Sequence, residues 1–573
     1  MKIKFCGAAS GVTGSCHLLQ TDKHRVLLDC GQFQGGKAQE ALNAEPFPFD
    51  PTEVEAVLLS HAHIDHCGRL PLLVKRGFTG KIYCTSATAD LLKVMLEDSG
   101  YIHEKDAEWQ SKRNRRAGKP PVEPLYTFAD AQATLDYVVP VEYDQLIKLN
   151  DEMRFVFNDA GHILGSAITE LWVTEGEKEM KLVFTGDLGM TDRPILRDPT
   201  IIKKADCVIM ETTYGSRNHT DNTMDVRKLI EIIVKTTRRG GNAVIPSFAV
   251  GRTQELIYEL NRYYEEHNEY SKDLEHLMVY VDSPMATTAT EVFRRNAQVF
   301  DEETRSYILK GDDPLMFKNL RFTRSTEESQ ALNFDPSPKV IISASGMCEA
   351  GRIRHHLKHN LWNPKSSIIF VGYQAEGSLG RALVEGKKDV TLFGEEIHVE
   401  AEIYNLEGFS GHADQNGLFA WLASFQKAPK QVFLVHGEKE SKEVFAELVH
   451  EKLGYEPIVV HGVSEYDLDI DEGVITNITE AERTAEIHED VQKVRSQVAG
   501  IHSEIEDILY NTNLSLTSSI PPEKLAEINN IVQELNRAAM SLGVAVSSVN
   551  EARDMGDAGL AGKLKADPQA AGN

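Results

Sequence analysis

Between positions 61 and 66 the chain reads His61-Ala62-His63-Ile64-Asp65-His66, directly after the apolar run Val57-Leu58-Leu59. Four groups that bind metals fall within six residues. Imidazoles and a carboxylate on a short loop form a donor set for zinc or a similar borderline cation. Three histidines and an aspartate so close together are hard to bury without a cation among them. The segment therefore predicts a strand that ends at a metal site, because strand ends are rigid and leave side chains facing a cleft.

The rest of the chain supplies strands to match. Over residues 1–210, short apolar runs such as Val26-Leu27-Leu28 and Cys207-Val208-Ile209-Met210 alternate with helical stretches, an α/β pattern. Residues 211–395 form a second α/β block. Its strands are expected at Asn242–Pro246, His276–Val281, Val340–Ser343 and Ile368–Val371, with a helix at Val250–Tyr264. Repeated βα units predict a parallel sheet. Near Ile397 the chain is expected to return to the first domain, over residues 396–463. A polar stretch from Glu97 to Pro124, with Lys112, Arg113, Arg115 and Arg116, reads as an exposed helical insertion with a solvated face.

Residues 464–573 read as an acidic helical extension. Ile487, Val491, Val494, Val498 and Ile501 alternate spacings of four and three, a heptad seam. Ser518-Ser519-Ile520-Pro521-Pro522 breaks the helix, and Leu525, Ile528, Val532 and Leu535 repeat the spacing. Two readings stay open, a hairpin folded back on its own body and a coiled-coil homodimer. The tail from Asp554 is rich in Gly and Ala and is expected to be disordered.

At 573 residues the chain has room for two or three domains. No run approaches the roughly 20 apolar residues of a membrane span, so no membrane role is expected. The seven cysteines are dispersed, and the opening Met-Lys-Ile-Lys-Phe-Cys-Gly reads as a strand rather than a signal peptide. Both point to a reduced, cytoplasmic protein. The net charge of −26 argues against nonspecific nucleic-acid binding. It is uneven: residues 464–573 hold 20 acidic and eight basic residues, which leaves room for a local basic groove elsewhere. Gly7-Ala8-Ala9-Ser10-Gly11 lacks the Gly-Lys-Ser/Thr ending of a nucleotide-binding loop and is expected to turn near the cleft.

His-x-His-x-Asp-His is the signature of the metallo-β-lactamase superfamily, and further segments resemble it in order. Leu27-Leu28-Asp29-Cys30-Gly31 resembles the first motif, Gly161-His162-Ile163-Leu164-Gly165-Ser166 the third, and Phe184-Thr185-Gly186-Asp187-Leu188-Gly189 the fourth. The middle block resembles the β-CASP branch. Glu211-Thr212-Thr213-Tyr214-Gly215 looks like motif A, Phe409-Ser410-Gly411-His412-Ala413-Asp414 motif B, and Phe433-Leu434-Val435-His436-Gly437-Glu438 motif C. Segments at 246–255, 282–286, 343–347 and 374–381 also recur in that branch. The resemblance covers about residues 1–463. It looks closest to bacterial and archaeal relatives of the cleavage and polyadenylation specificity factor endonuclease. It implies a metallo-β-lactamase αββα sandwich with an inserted β-CASP α/β domain, followed by the C-terminal helical extension.

The resemblance also implies roles. His61, His63 and His162 would hold one zinc ion, Asp65, His66 and His436 a second, and Asp187 would bridge them. Nitrogen and oxygen ligands admit manganese as well. Such a pair of metals shares a hydroxide that attacks RNA phosphodiesters, leaving 5′-phosphate and 3′-hydroxyl ends. Asp29 would fix the tautomer of a ligand histidine. Glu211 would keep His412 protonated as the general acid. Ser247, Arg252, Ser343, Ser378 and Arg381 lie in loops suited to phosphate contacts with a single-stranded RNA. A histidine in motif C is the pattern for RNA rather than DNA.

Two other functions compete with a zinc-dependent ribonuclease in RNA processing or decay. A hydrolase of small esters needs no inserted block of this size. A non-catalytic scaffold working through its heptad tail would be expected to have lost metal ligands, and all are kept. Endonucleolytic and 5′-to-3′ exonucleolytic action both fit the residues.

Overall fold

The computed structural model describes residues 1–468, apart from 177, 220–221, 266–268, 373 and 375–376, together with 540 and 544. The heptad seams and the glycine-rich tail lie outside the described residues. Residues 291–316 group apart from the main unit; within them Arg294 is buried between Glu291 (2.9 Å) and Asp313 (3.1 Å).

The main unit holds two seven-stranded mixed sheets and a six-stranded parallel sheet. The first sheet runs from Ser464–Asp467 at one edge through Lys2–Gly7, Cys16–Gln20, Arg25–Leu28, Ala56–Leu58 and Lys81–Thr85 to Val138–Val141. Ser464–Asp467, expected to open the helical extension, instead pairs antiparallel with Lys2–Phe5. The second sheet contains Met153–Asp159, Ala167–Glu175, Lys178–Phe184, Cys207–Glu211 and Gln431–Val435 among its strands.

Alternation explains how these strands share a core. Met153, Phe155 and Phe157 point inward while Arg154 and Val156 stay half-buried. They join Phe5, Leu19, Leu28 and Leu58 of the first sheet in one apolar cluster. The outer face of the second sheet is covered by the helices Gln415–Ala423 and Lys439–Leu453, through Leu418, Trp421, Leu422, Phe445 and Val449. The result is the expected αββα layering.

The six-stranded sheet is wholly parallel, as the βα repeats predict. Its strands lie in the order Leu320–Phe322, Met278–Val281, Lys339–Ser343, Ala243–Pro246, Ser367–Phe370 and Glu402–Asn405. The last strand keeps the chain in this sheet until Asn405, past the return expected near Ile397. Asp282 follows Met278–Val281 and is fully buried. It accepts hydrogen bonds from Ser329 Oγ (2.6 Å), Arg352 Nη1 (2.7 Å), His356 Nε2 (2.5 Å) and the Thr323 hydroxyl. Burial works against its charge, but these donors outweigh burial and hold the carboxyl well below the usual range.

Asp282→Ala should strand Arg352 and His356 inside the inserted block. We expect a loss of about 3–5 kcal/mol in urea unfolding, with metal content of the native state unchanged. Because the folded pKa is depressed, Asp282 stabilises above its unfolded value of about 4 and loses this contribution as pH falls. An acid transition identical in wild type and variant would contradict the assignment.

Candidate metal centre

Parallel pairing gathers the site. Lys178–Phe184, Cys207–Glu211 and Gln431–Val435 run parallel, so their carboxyl ends lie on one edge. They deliver Asp187, Glu211 and His436. On the other sheet, Arg25–Leu28 and Ala56–Leu58 also run parallel and deliver Asp29 and His61. The short helix Ile64–Cys67 then presents Asp65 and His66. Asp29 and His436 take left-handed backbone angles (φ 62° and 46°), unusual for non-glycine residues and common where a side chain must be aimed. The Ala8 carbonyl accepts a hydrogen bond from His436 N (2.7 Å), so the Gly7–Gly11 segment turns against the site.

Two glycines let the loops meet. A Cβ on Gly31 would stand 1.6 Å from the carbonyl oxygen of Asp65, and one on Gly189 would stand 1.8 Å from that of Gly161. These contacts dock the first motif against the His-x-His loop and the fourth against the loop of His162.

Donor atoms converge in three groups among the described residues: His61, His63, His162 with Asp187; Asp65, His66 with His436; and Asp187 with Glu211 and His412. His63 Nδ1 lies 3.1 Å from His61 Nε2 and 3.2 Å from His162 Nε2. Asp187 Oδ2 lies 3.5 Å from both of those Nε2 atoms and 3.2 Å from His66 Nε2. In the second group, His436 Nε2 is 3.2 Å from His66 Nε2 and 3.6 Å from Asp65 Oδ2.

Hydrogen bonds fix which nitrogen is offered. The Gly411 carbonyl can only accept, so His162 Nδ1 donates to it (3.1 Å) and Nε2 carries the lone pair. His66 Nδ1 donates to Asp29 Oδ2 (2.7 Å). Ser60 Oγ donates to Asp29 (2.9 Å) and therefore accepts from His61 Nδ1 (3.0 Å). Thr213 Oγ1, which donates to the His436 carbonyl (3.2 Å), can accept from His436 Nδ1 (3.1 Å). Four imidazoles thus turn Nε2 inward, and His63 turns Nδ1.

Facing lone pairs repel unless something lies between them. Tetrahedral zinc with Zn–N bonds of about 2.0–2.1 Å places its ligands about 3.3–3.4 Å apart, close to the separations here. Asp187 Oδ1 is buried and accepts no hydrogen bond from the described residues, a cost that a cation removes. The residues therefore fit a metal. Burial, then the charges of neighbouring histidines, holds His61 and His162 well below the ordinary histidine pKa. Burial also holds His63 at about 4. These rings are neutral and ready to ligate.

Glu211 and His412 stand beside this centre. Glu211 is fully buried and accepts from Leu188 N (2.7 Å), Thr213 N (3.1 Å) and His412 Nδ1 (3.1 Å). Burial opposes a charge on His412, but Glu211 together with Asp187 and Asp65 outweighs it and raises the pKa to about 9.

The five loop residues expected to contact phosphate do not converge on the metal ligands. Ser247 and Ser343 are buried, their hydroxyls bound to the carbonyls of Phe248 (3.2 Å) and Asp282 (2.8 Å). Ser378 caps the helix Leu379–Val384, and Arg381 pairs with Glu385 (2.6 Å). Arg252 alone approaches the centre, against Gly411, with its guanidinium bound to Glu255. Sequence reasoning missed Arg193, which binds Glu255 (3.1 Å) and the carbonyls of Gly408 (2.6 Å) and Ser410 (3.0 Å) and so fixes the turn before His412. It also missed Ser60 and Thr213, although both lie inside quoted motifs or beside them.

Asp29→Ala should leave His66 without its acceptor. Metal affinity should fall about 10–100-fold in a chelator competition, with the fold retained by circular dichroism. Unchanged affinity would show that Asp29 only caps its turn.

Comparison with known proteins places this geometry. Residues 9–246 match the metallo-β-lactamase superfamily, 253–383 the Beta-Casp domain, and 396–460 the Zn-dependent metallo-hydrolase RNA specificity domain. The chain is 41% identical over 440 residues to Ribonuclease TTHA0252 of Thermus thermophilus, covering 77% of this chain and 94% of that one. It is 31% identical to Transcription termination factor FttA of Methanocaldococcus jannaschii (78% and 69% covered) and 32% identical to that of Methanosarcina mazei (80% and 70%). The chain belongs to the β-CASP branch of the metallo-β-lactamase superfamily.

Proposed function

We propose that this protein is a metal-dependent ribonuclease that hydrolyses phosphodiesters of single-stranded RNA to 5′-phosphate and 3′-hydroxyl ends. The observation that carries the reading is the Glu211–His412 pair beside seven converging metal donors. The likeness to a ribonuclease along most of both chains supports it.

His61, His63 and His162 would hold one zinc ion and Asp65, His66 and His436 a second, with Asp187 shared. When bound, the two ions supply Lewis acidity for a water nucleophile and for the charge that develops on the phosphate. Asp29, Ser60, Thr213 and the Gly411 carbonyl orient the ligand rings. Glu211 orients His412 through Nδ1, and the proton on the other ring nitrogen passes to the departing 3′ oxygen. Arg193 holds the turn that carries His412. Arg252 adds positive charge beside the centre, where a phosphate would bind.

The proposal separates two classes of variant. Asp65→Ala and His436→Ala should lose metal and activity together. His412→Ala should keep the metal content of wild type and lower turnover of a 5′-labelled RNA about 10²–10⁴-fold. Internal fragments from that RNA would indicate endonuclease action, and mononucleotides exonuclease action. Wild-type turnover in His412→Ala would remove the general-acid role.

We further propose that the heptad seams beyond residue 468 join two chains. A chain ending at 468 should then sediment as a monomer with unchanged metal content. If it matches the full chain in oligomeric state, the seams serve another purpose.

No described helix is long and apolar enough to cross a membrane.

A further inference from the structure

The basic insertion noted in the sequence has a surface that the metal centre does not use. The helix Ser86–Arg116 starts at the site, where Thr85 Oγ1 (2.6 Å) and Thr88 Oγ1 (2.8 Å) donate to the Gly165 carbonyl in the loop of His162. It then runs outward for 31 residues. At 1.5 Å per residue, Tyr101 lies about 20 Å along the helix from Thr88, and Arg116 about 42 Å.

The outer half is two-sided. Its inner side is covered by the returning chain: Ser111 bonds Val122, Asn114 bonds the Pro120 carbonyl (2.9 Å), and His103 packs on Tyr126. Spacings of three, four and seven place Tyr101, Lys105, Trp109, Lys112, Arg113 and Arg116 on the other side, within about a third of the circumference. Ile102 lies among them. All are exposed, Tyr101 by 53% and Trp109 by 62%. Lys105 Nζ sits 5.5 Å from the Tyr101 ring and the Arg113 guanidinium 5.8 Å from the Trp109 ring. Glu104 and Asp106 fall outside this sector, and Glu108 at its edge pairs with Lys105 (3.2 Å), leaving Lys112, Arg113 and Arg116 as its cations with no acid beside them among the described residues. From Trp109 to Val122 there are five basic residues and no acidic one, in a chain of net charge −26.

A solvated helix needs no exposed tryptophan, and complementing the helix dipole needs only the last turn to be basic. Aromatic rings alternating with cations along one line are what a single-stranded nucleic acid requires: faces for bases and charge for phosphates. The apolar content, two rings and one isoleucine, is small for a membrane-surface helix, which needs a continuous apolar face. We propose that this face of Ser86–Arg116 is an accessory binding surface for single-stranded RNA, engaging the substrate outside the cleavage site. This rests on the ribonuclease reading for the nature of the strand. It adds that long RNA is held at a second place.

The test uses the full chain with and without Tyr101→Ala/Trp109→Ala. Binding is read by anisotropy of a labelled single-stranded RNA of about 30 nucleotides, with His412→Ala in both chains to prevent cleavage. The double variant should bind about tenfold more weakly, and Tyr101→Phe/Trp109→Phe should restore binding. Lys112→Gln/Arg113→Gln/Arg116→Gln should reduce the slope of log affinity against log salt by about two. With His412 intact, cleavage of an RNA of about six nucleotides should be unchanged, while the KM for the long RNA rises and kcat does not. Equal affinity of wild type and double variant for the long RNA would overturn the proposal. So would a loss confined to binding of anionic phosphatidylserine vesicles, or confined to self-association. If the wild type cleaves no RNA, the ribonuclease reading falls, while the binding comparison still decides this one.

Discussion

Seven buried or half-buried lone-pair donors aimed at one another are the constraint on which this structure depends. Unpaired, such groups would turn to water or take up protons. Here they cannot turn, because Asp29, Ser60, Thr213 and the Gly411 carbonyl occupy the far side of four imidazoles. His66 shows the tension. Burial opposes its charge, yet Asp187 and Asp29 raise its pKa well above the ordinary value. A proton there satisfies the two carboxylates in place of a metal. Metal binding must displace it, so affinity rises with pH until the competition ends.

The fold supplies the rigidity this requires. Parallel strands with buried faces end on a common edge, and each ligand sits within a few residues of such an end. The loops then pack on each other through backbone, at Gly31 on Asp65 and at Gly189 on Gly161. Any side chain at either glycine would push a ligand loop away. The ligands are therefore set by sheet register and loop docking more than by their own rotamers.

This explains what could be read in the sequence. Asp29, His61, Asp187, Glu211 and His436 were visible because each follows an apolar strand, and local pattern reports strand ends well. The partners that orient them were not. Ser15 reaches Asp29 across 14 residues, Thr213 reaches His436 across 223, and Arg193 reaches Gly408 across 215. No periodicity carries such contacts. The roles of the phosphate-loop candidates are hard to read from sequence for a related reason. Small hydroxyls after strands look alike in sequence whether they face a cleft or, like Ser343 with the Asp282 carbonyl, close a turn. Ser464–Asp467 is hidden in the sequence because one tyrosine among three polar residues makes no strand pattern until Lys2–Phe5 offers an edge and Phe5 and Phe433 receive the Tyr466 ring.

Charge ties the centre to its polyanionic substrate. A chain of net charge −26 repels RNA at long range, and Asp65, Asp187 and Glu211 add negative charge at the point of contact. Binding then depends on local cations. The residues that fit a metal are also the residues whose charge a metal would reverse, so loading the centre changes both chemistry and affinity. Arg193 cannot substitute, since Glu255 and the carbonyls of Gly408 and Ser410 engage it, and Arg252 shares its charge with Glu255. From Trp109 to Val122 basic residues run without acidic ones, at the far end of the helix Ser86–Arg116, whose start docks on the loop that carries His162. A strand held on that face is kept near an acidic protein that would otherwise repel it.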